Sequence, residues 1–264
     1  MAAGYEAVVE AGGEAPWLVM VHGMTQNRRI FSAQVPAFRD SYRILLVDLP
    51  GHGLSAELPG PYGHVELAAQ VGQALDAAEV GHCHYWATHT GTSVGLLLAA
   101  ERPDRFRSMI LEGAVVPGRA MPSVDAALGR IREVARRDGM AAARRRWRTD
   151  GDWFDVMRRH PEECRAEAHW AMIDDFSGAP WLYDGVALPV PPVDDRLRLI
   201  ACPVLLCNGE HELPDFLDAA AFLADRLPKA TRATIPRGGG FPGWEFPEPV
   251  NQLVRQFLAR TDPT

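Results

Sequence analysis

Residues 83–101 decide the fold: Cys83-His-Tyr-Trp-Ala-Thr88-His89-Thr90-Gly91-Thr92-Ser93, running on into Val94-Gly-Leu-Leu-Leu-Ala-Ala-Glu101. Cys83–Thr88 is a short, apolar, β-rich run, and Ser93–Glu101 is a strong helix stopped by Arg102-Pro103. A sharp strand-to-helix turn holds a side chain exposed and strained at the helix N-terminus. There the dipole and free N–H groups favour developing negative charge. Thr90 is expected at that point, with the Gly91 N–H as an oxyanion donor. Taken alone, the hexapeptide Thr88–Ser93 reads as a helix N-cap at Thr90.

The same alternation extends outward in both directions. Trp17–Val21, Tyr42–Val47, Arg107–Leu111, Cys202–Cys207 and Arg232–Pro236 read as further strands. Most are nearly continuous apolar runs, as in a parallel sheet covered on both faces. Val65–Ala78, Asp215–Leu227 and Pro249–Ala259 read as helices between or after them. Strand then helix, repeated, defines an α/β sheet. The stretch from Pro117 to Asp195 breaks this order, with helical segments and no convincing strand, and ends in Leu188-Pro-Val-Pro-Pro192. One core domain carrying a helical lid is expected: core 1–117, lid 118–195 and core 196–264.

A chain of 264 residues with 47% hydrophobic and 23% charged residues has the composition of a globular domain, not of a disordered or fibrous one. Its net charge of −7 disfavours nucleic-acid binding. No apolar run is long enough to span a membrane, and the start Met1-Ala-Ala-Gly-Tyr-Glu6 lacks a basic, apolar leader. The four cysteines, Cys83, Cys164, Cys202 and Cys207, have no metal spacing. Reduced thiols in a cytoplasmic protein are the expectation.

Two more turns follow strands. His22-Gly23-Met24-Thr25 lets the backbone fold tightly and frees the Met24 N–H for a bound oxygen. Asp48-Leu-Pro-Gly-His52-Gly-Leu-Ser55 is compact, and packing and turn hydrogen bonds account for His52. With Arg102-Pro-Asp-Arg-Phe106, Pro203–Glu212 and Phe241-Pro-Gly-Trp-Glu-Phe-Pro-Glu-Pro249, these turns resemble the α/β-hydrolase superfamily over nearly the whole chain. The resemblance implies a mostly parallel eight-stranded sheet flanked by helices, with a helical lid inserted after the sixth strand.

Three positions depart from that family's pattern. The elbow is usually Gly-x-Ser-x-Gly and here is matched to Thr88-His89-Thr90-Gly91-Thr92. Threonine keeps a hydroxyl, though its methyl crowds attack. The acid position holds Glu212, and Glu112 is a second candidate acid. The catalytic histidine is replaced: Gly240, in Gly238-Gly239-Gly240, aligns with it, leaving a hollow that water or a basic group of the substrate could fill. An alcohol is a poor nucleophile at neutral pH without a base.

Among the nine histidines, His211 beside Glu212 and His169 in the lid are the candidate bases, and His22 is expected to brace the oxyanion turn. His89 should diverge from Thr90, while His52, His64, His82, His84 and His160 read as structural or surface residues. The lid aromatics, Trp170 and Trp181 among them, pack a small helical layer and could lend the pocket an apolar, aromatic-tolerant wall. Arg144-Arg145-Arg146-Trp147-Arg148 reads as a solvated helix face or as a clamp for an acidic substrate.

The expectation is a cofactor-free and metal-free hydrolase of a small apolar or aromatic ester, lactone or related carbonyl compound. Thr90, Glu212 and His211 carry catalysis in this expectation, Met24 and Gly91 form the oxyanion hole, and His22, His89, His169, Trp170 and Trp181 line the substrate site. The expected partner is a small molecule, with neither nucleic acid nor membrane, and a homodimer is admitted. The alternatives are a non-hydrolytic enzyme of the same fold (a lyase, cyclase or cofactor-free oxygenase holding an enolate) and a ligand-binding protein without chemistry.

Overall fold

The computed structural model describes residues 2–191 and 193–261. Met1, Pro192 and residues 262–264, included above in the N-terminus, the lid exit and the second part of the core, lie outside the described residues. Seven strands form one sheet: β1 (Tyr5–Val8), β2 (Trp17–Val21), β3 (Arg43–Val47), β4 (Cys83–Thr88), β5 (Phe106–Glu112), β6 (Val204–Gly209) and β7 (Ala230–Ile235). Their order is β1-β3-β2-β4-β5-β6-β7. All neighbouring pairs are parallel except β1 with β3. The expected eight strands are therefore seven among the described residues, with the antiparallel β1 forming the edge. β1 is only partly covered, so it lacks the continuous apolar run that reveals the central strands.

Side chains alternate across the sheet and feed two cores. Leu18, Met20, Ile44, Trp86, Ile110 and Leu205 pack on one face. Val19, Val21, Leu45, Tyr85, Met109 and Leu206 pack on the other. β2, β4 and β6 are buried along their whole length, which is why their sequences do not alternate in polarity.

Between β5 and β6 the described residues form helices and turns without a strand. The longer helices there are Pro122–Asp138, Met140–Asp150 and Ala166–Asp175. This insertion closes over the carboxyl ends of the strands. The Trp147 indole donates to the Thr25 hydroxyl at 3.1 Å, and Ser177 donates to the Gly51 carbonyl at 2.5 Å. Phe154 stacks on Phe241 with ring centres 5.3 Å apart. Among the described residues no helix is long and apolar enough to cross a membrane.

Candidate active site

The helix after β4 begins at Thr90, three residues before the apolar pattern that announces it. The strained residue of the turn is His89, with φ 42° and ψ −114°, a conformation that costs a non-glycine residue about 1–3 kcal/mol. The elbow apex is thus His89, not Thr90. Gly91 carried the missed signal: in Gly-x-nucleophile-x-Gly the second glycine lies two residues past the apex, and counting back from Gly91 reaches His89. The residue after the apex, whose N–H starts the helix, is Thr90 and not Gly91.

Gly91 has a different task. A Cβ there would meet the Val21 carbonyl and come 2.7 Å from the His22 carbonyl oxygen, so only glycine lets the helix dock on the turn after β2. Gly23 answers it from the other side, where a Cβ would come 2.9 Å from the His89 Cβ. The two turns are interlocked.

Histidines hold the first turn in place. His22 Nε2 accepts from the Leu49 N–H at 2.9 Å, so its Nδ1 donates to the Gly23 carbonyl at 2.7 Å. His52 Nε2 accepts from the Thr25 N–H at 3.2 Å, and its Nδ1 donates to the Pro50 carbonyl at 3.0 Å. Both rings are buried and neutral, because burial drives the His52 pKa down to about 3 and lowers that of His22. The N–H groups of Met24 and Thr90 have no hydrogen-bond partner among the described residues. Both residues line the same cavity, of about 460 Å³.

On the other side of the elbow, the positions of the family's catalytic triad lie in packed protein. The His89 ring sits 4.8 Å from both Phe216 and Phe241, and its Nε2 is buried without a partner. Burial pushes its pKa down to about 3. No hollow remains at Gly240, because a Cβ there would come 3.1 Å from the carbonyl oxygen of Trp153. Glu212 is buried, accepting from the Leu213 N–H at 2.9 Å and from Asn208 at 3.5 Å, with no imidazole beside it. Glu112 accepts from the Trp86 indole and from the Gly243 N–H. Burial raises Glu112 to about 7, and Glu212 and Glu245 to about 8. At neutral pH Glu212 and Glu245 are largely protonated acids.

The candidate bases do not meet Thr90. His211 is exposed, and only its backbone N–H is engaged, by the Gly238 carbonyl at 2.7 Å. His169 is fully buried, 3.3 Å from the Gln26 amide and packed on Phe241, and burial lowers its pKa to about 3. Trp181 packs between Trp147 and Phe176, and Trp170 lies against Phe154. Of the residues expected at the substrate site, His22, His89, His169, Trp170 and Trp181, none lines the 460 Å³ cavity. The arginine run also faces elsewhere: Arg144 donates to the Phe176 carbonyl, Arg146 pairs with Asp150 and Arg148 with Asp174.

Local pattern did not reveal His64, which lines the cavity beside Thr90. It is the first residue of the helix His64–Ala77. Its Nδ1 is hydrogen-bonded to the Ser93 hydroxyl, which donates in turn to the Thr90 carbonyl at 2.9 Å. With the serine proton directed to the Thr90 carbonyl, Nδ1 is the donor to Ser93 and Nε2 keeps a free lone pair. Burial holds the His64 pKa below 6.5, with Asp125 and Glu66 pulling it back up.

A strained elbow interlocked with the turn after β2, at the carboxyl ends of parallel strands, defines an α/β-hydrolase-type scaffold. The family model for the alpha/beta hydrolase fold matches residues 16–247, and the chain belongs to that family. It is 26% identical over 256 residues to the "Putative carbamate hydrolase RutD" of Pseudomonas syringae pv. syringae, covering 93% of this chain and 95% of that one. It is 23% identical over 249 residues to 3-oxoadipate enol-lactonase 2 of Acinetobacter baylyi, covering 94% and 90%. The fold also matches that of a thermophilic esterase from Thermogutta terrifontis, with a TM-score of 0.79 and 22% identity over 98% of this chain and 94% of that one.

Proposed function

We propose that this chain hydrolyses a small ester or lactone without a covalent enzyme intermediate, using the Met24 and Thr90 N–H groups as the oxyanion hole and His64 as general base. One observation carries this reading: two unpaired backbone donors and an imidazole with a free Nε2 border the same 460 Å³ cavity. The elbow residue is an imidazole enclosed by phenylalanines and offers no hydroxyl to acylate, which supports a reading without a covalent intermediate. Hydrolase and lactonase names among the relatives support the reaction class.

In this mechanism His64 Nε2 takes a proton from water as the hydroxide oxygen bonds to the substrate carbonyl carbon. The carbonyl oxygen becomes an oxyanion held by the two N–H groups. When the tetrahedral intermediate collapses, the C–O bond to the leaving alkoxide breaks and the protonated His64 returns the proton to it. The products are an acid and an alcohol, joined in one molecule when the substrate is a lactone. Ser93 and Thr90 fix the ring tautomer that makes this transfer feasible.

A second reading rests on the missing elbow hydroxyl. The same donors could hold an enolate after His64 removes a proton beside a carbonyl, as in a lyase, a cyclase or a cofactor-free oxygenase. Turnover of activated esters and lactones in ¹⁸O-water separates the two. Hydrolysis places the label in the acid product, whereas enolate chemistry instead exchanges the carbon-bound proton with solvent deuterium.

His64→Asn is expected to lower kcat by about 10²–10⁴ with KM nearly unchanged, as for loss of a general base. The base works only when neutral and burial lowers its pKa, so wild-type kcat/KM should stay level at neutral pH and down to 6.5, and fall only in more acidic solution. No turnover of any ester or lactone by the wild type overturns hydrolysis. Full activity in His64→Asn overturns the assignment of the base.

A further inference from the structure

Three guanidinium groups border the cavity: Arg119, Arg132 and Arg136. Two of them have partners in the fold. Arg119 lies over the Phe222 ring at 4.3 Å, and Arg136 pairs with Asp184 at 3.0 Å. Arg132 makes no ion pair or hydrogen bond among the described residues, and its Nε is buried without a partner. It lies on the helix Pro122–Asp138, one turn from Leu128 and one from Arg136, and all three line the cavity. Among the described residues Asp125 is the only carboxylate residue in the cavity wall, and it accepts from the Met121 N–H at 3.1 Å.

A half-buried guanidinium with an unsatisfied N–H is costly unless something completes it. Its planar fork fits a carboxylate through two parallel hydrogen bonds. The rest of the cavity wall is mixed, and Val116, Val124 and Leu128 give it an apolar portion beside the polar one. We propose that the cavity takes a monoanionic ligand with an apolar body, whose carboxylate pairs with Arg132 while its carbonyl end meets Met24 and Thr90. The carbonyl end of this placement rests on the hydrolytic reading; the carboxylate end stands on Arg132 alone.

The test is calorimetric binding of 4-phenylbutanoate and of its neutral amide, which share an apolar body. The wild type is expected to bind the carboxylate at least tenfold more tightly than the amide, and added salt should weaken only the carboxylate. Arg132→Met should abolish that preference and leave amide binding unchanged. Arg132→Lys, which keeps the charge but loses the fork, should retain a reduced preference, and serves if the Met variant does not fold. Arg130→Met, on the same helix but outside the cavity, should behave as wild type. Equal binding of the two probes, binding of neither, or a preference surviving in Arg132→Met overturns the proposal. Carboxylate preference in a protein that hydrolyses nothing leaves this site standing and removes the hydrolytic reading. Hydrolysis of neutral esters without any carboxylate preference does the reverse.

Discussion

The two sides of the elbow turn have had opposite fates. On one side, where the family keeps its triad, Phe154, Phe216, Phe241 and the Trp153 backbone fill the space around His89 and Gly240. The gap left beside Thr88, Glu112 and Phe241 holds about 10 Å³, hardly room for one water. On the other side lies the 460 Å³ cavity with Met24, His64, Thr90 and Arg132. Burial on the filled side favours the neutral form of each carboxyl and imidazole group, raising Glu112, Glu212 and Glu245 and lowering His89 and His169. The contrast teaches that the backbone donors of this scaffold are separable from its side-chain machinery. They are fixed by interlocked glycine turns, which hold whichever flank is filled.

The largest expected break in this comparison is the kinetic loss in His64→Asn, since among the described residues it removes the only imidazole lining the open side. Next comes Gly91→Ala, which forces a methyl group against the Val21 and His22 carbonyls. Overpacking of this kind costs about 1–3 kcal/mol. A melting temperature lower by about 2–12 °C is expected on the usual scale for a domain this size. An unchanged melting temperature would mean the two turns are not locked together.

A subtler effect concerns pH. Glu112, Glu212 and Glu245 have folded pKa values raised from 4.5 to about 7, 8 and 8, so the fold binds protons that the unfolded chain releases. Their contribution is present below 4.5 and is lost as pH rises toward 8. His52, His89 and His169 are lowered from 6.5 to about 3, so their contribution is lost as pH falls from 6.5 toward 3. The two sets oppose each other between 4.5 and 6.5, and above 6.5 the carboxyl groups act alone. Stability should decline from about pH 6.5 to 8, by several degrees in melting temperature. Combining Glu212→Gln with Glu245→Gln should reduce that decline to the part Glu112 contributes up to about pH 7; an undiminished slope in the double variant contradicts the assignment.

The smallest expected effect is that of Gly240→His. The Trp153 carbonyl oxygen lies 3.1 Å from where its Cβ would sit, and the elbow offers no hydroxyl to activate. Turnover should therefore stay within about twofold of wild type while stability falls. A tenfold gain would show that the filled side can still open.

Much of this molecule was legible in local pattern. The central strands, the elbow helix, the helical insertion and the glycine at the lost histidine position each carry a short-range signal: an apolar run, a stop at Arg102-Pro103, a missing β-rich stretch, or Gly238–Gly240 before Phe241-Pro242. The elbow apex lies one residue before the position the pattern points to, because Thr90 offers a hydroxyl whereas His89 offers only geometry. Which residue takes the strained φ is set by how the helix docks on β2, through Gly91 and Gly23. His211 and His169 looked catalytic by proximity in the chain or by belonging to the insertion, yet one faces solvent and the other is sealed in aromatic packing.

What the amino-acid order determined by itself was the sheet, the family and the absence of an imidazole at residue 240. Tertiary structure alone decided which flank of the elbow is open, and that His64 and Arg132 line one cavity with Met24 and Thr90 there. The physical reason is that strands and turns follow from neighbouring residues, whereas a cavity is the volume left between segments far apart in the chain. Its walls come from residues 24, 64, 90 and 132, and no periodicity or spacing links them before the chain is packed.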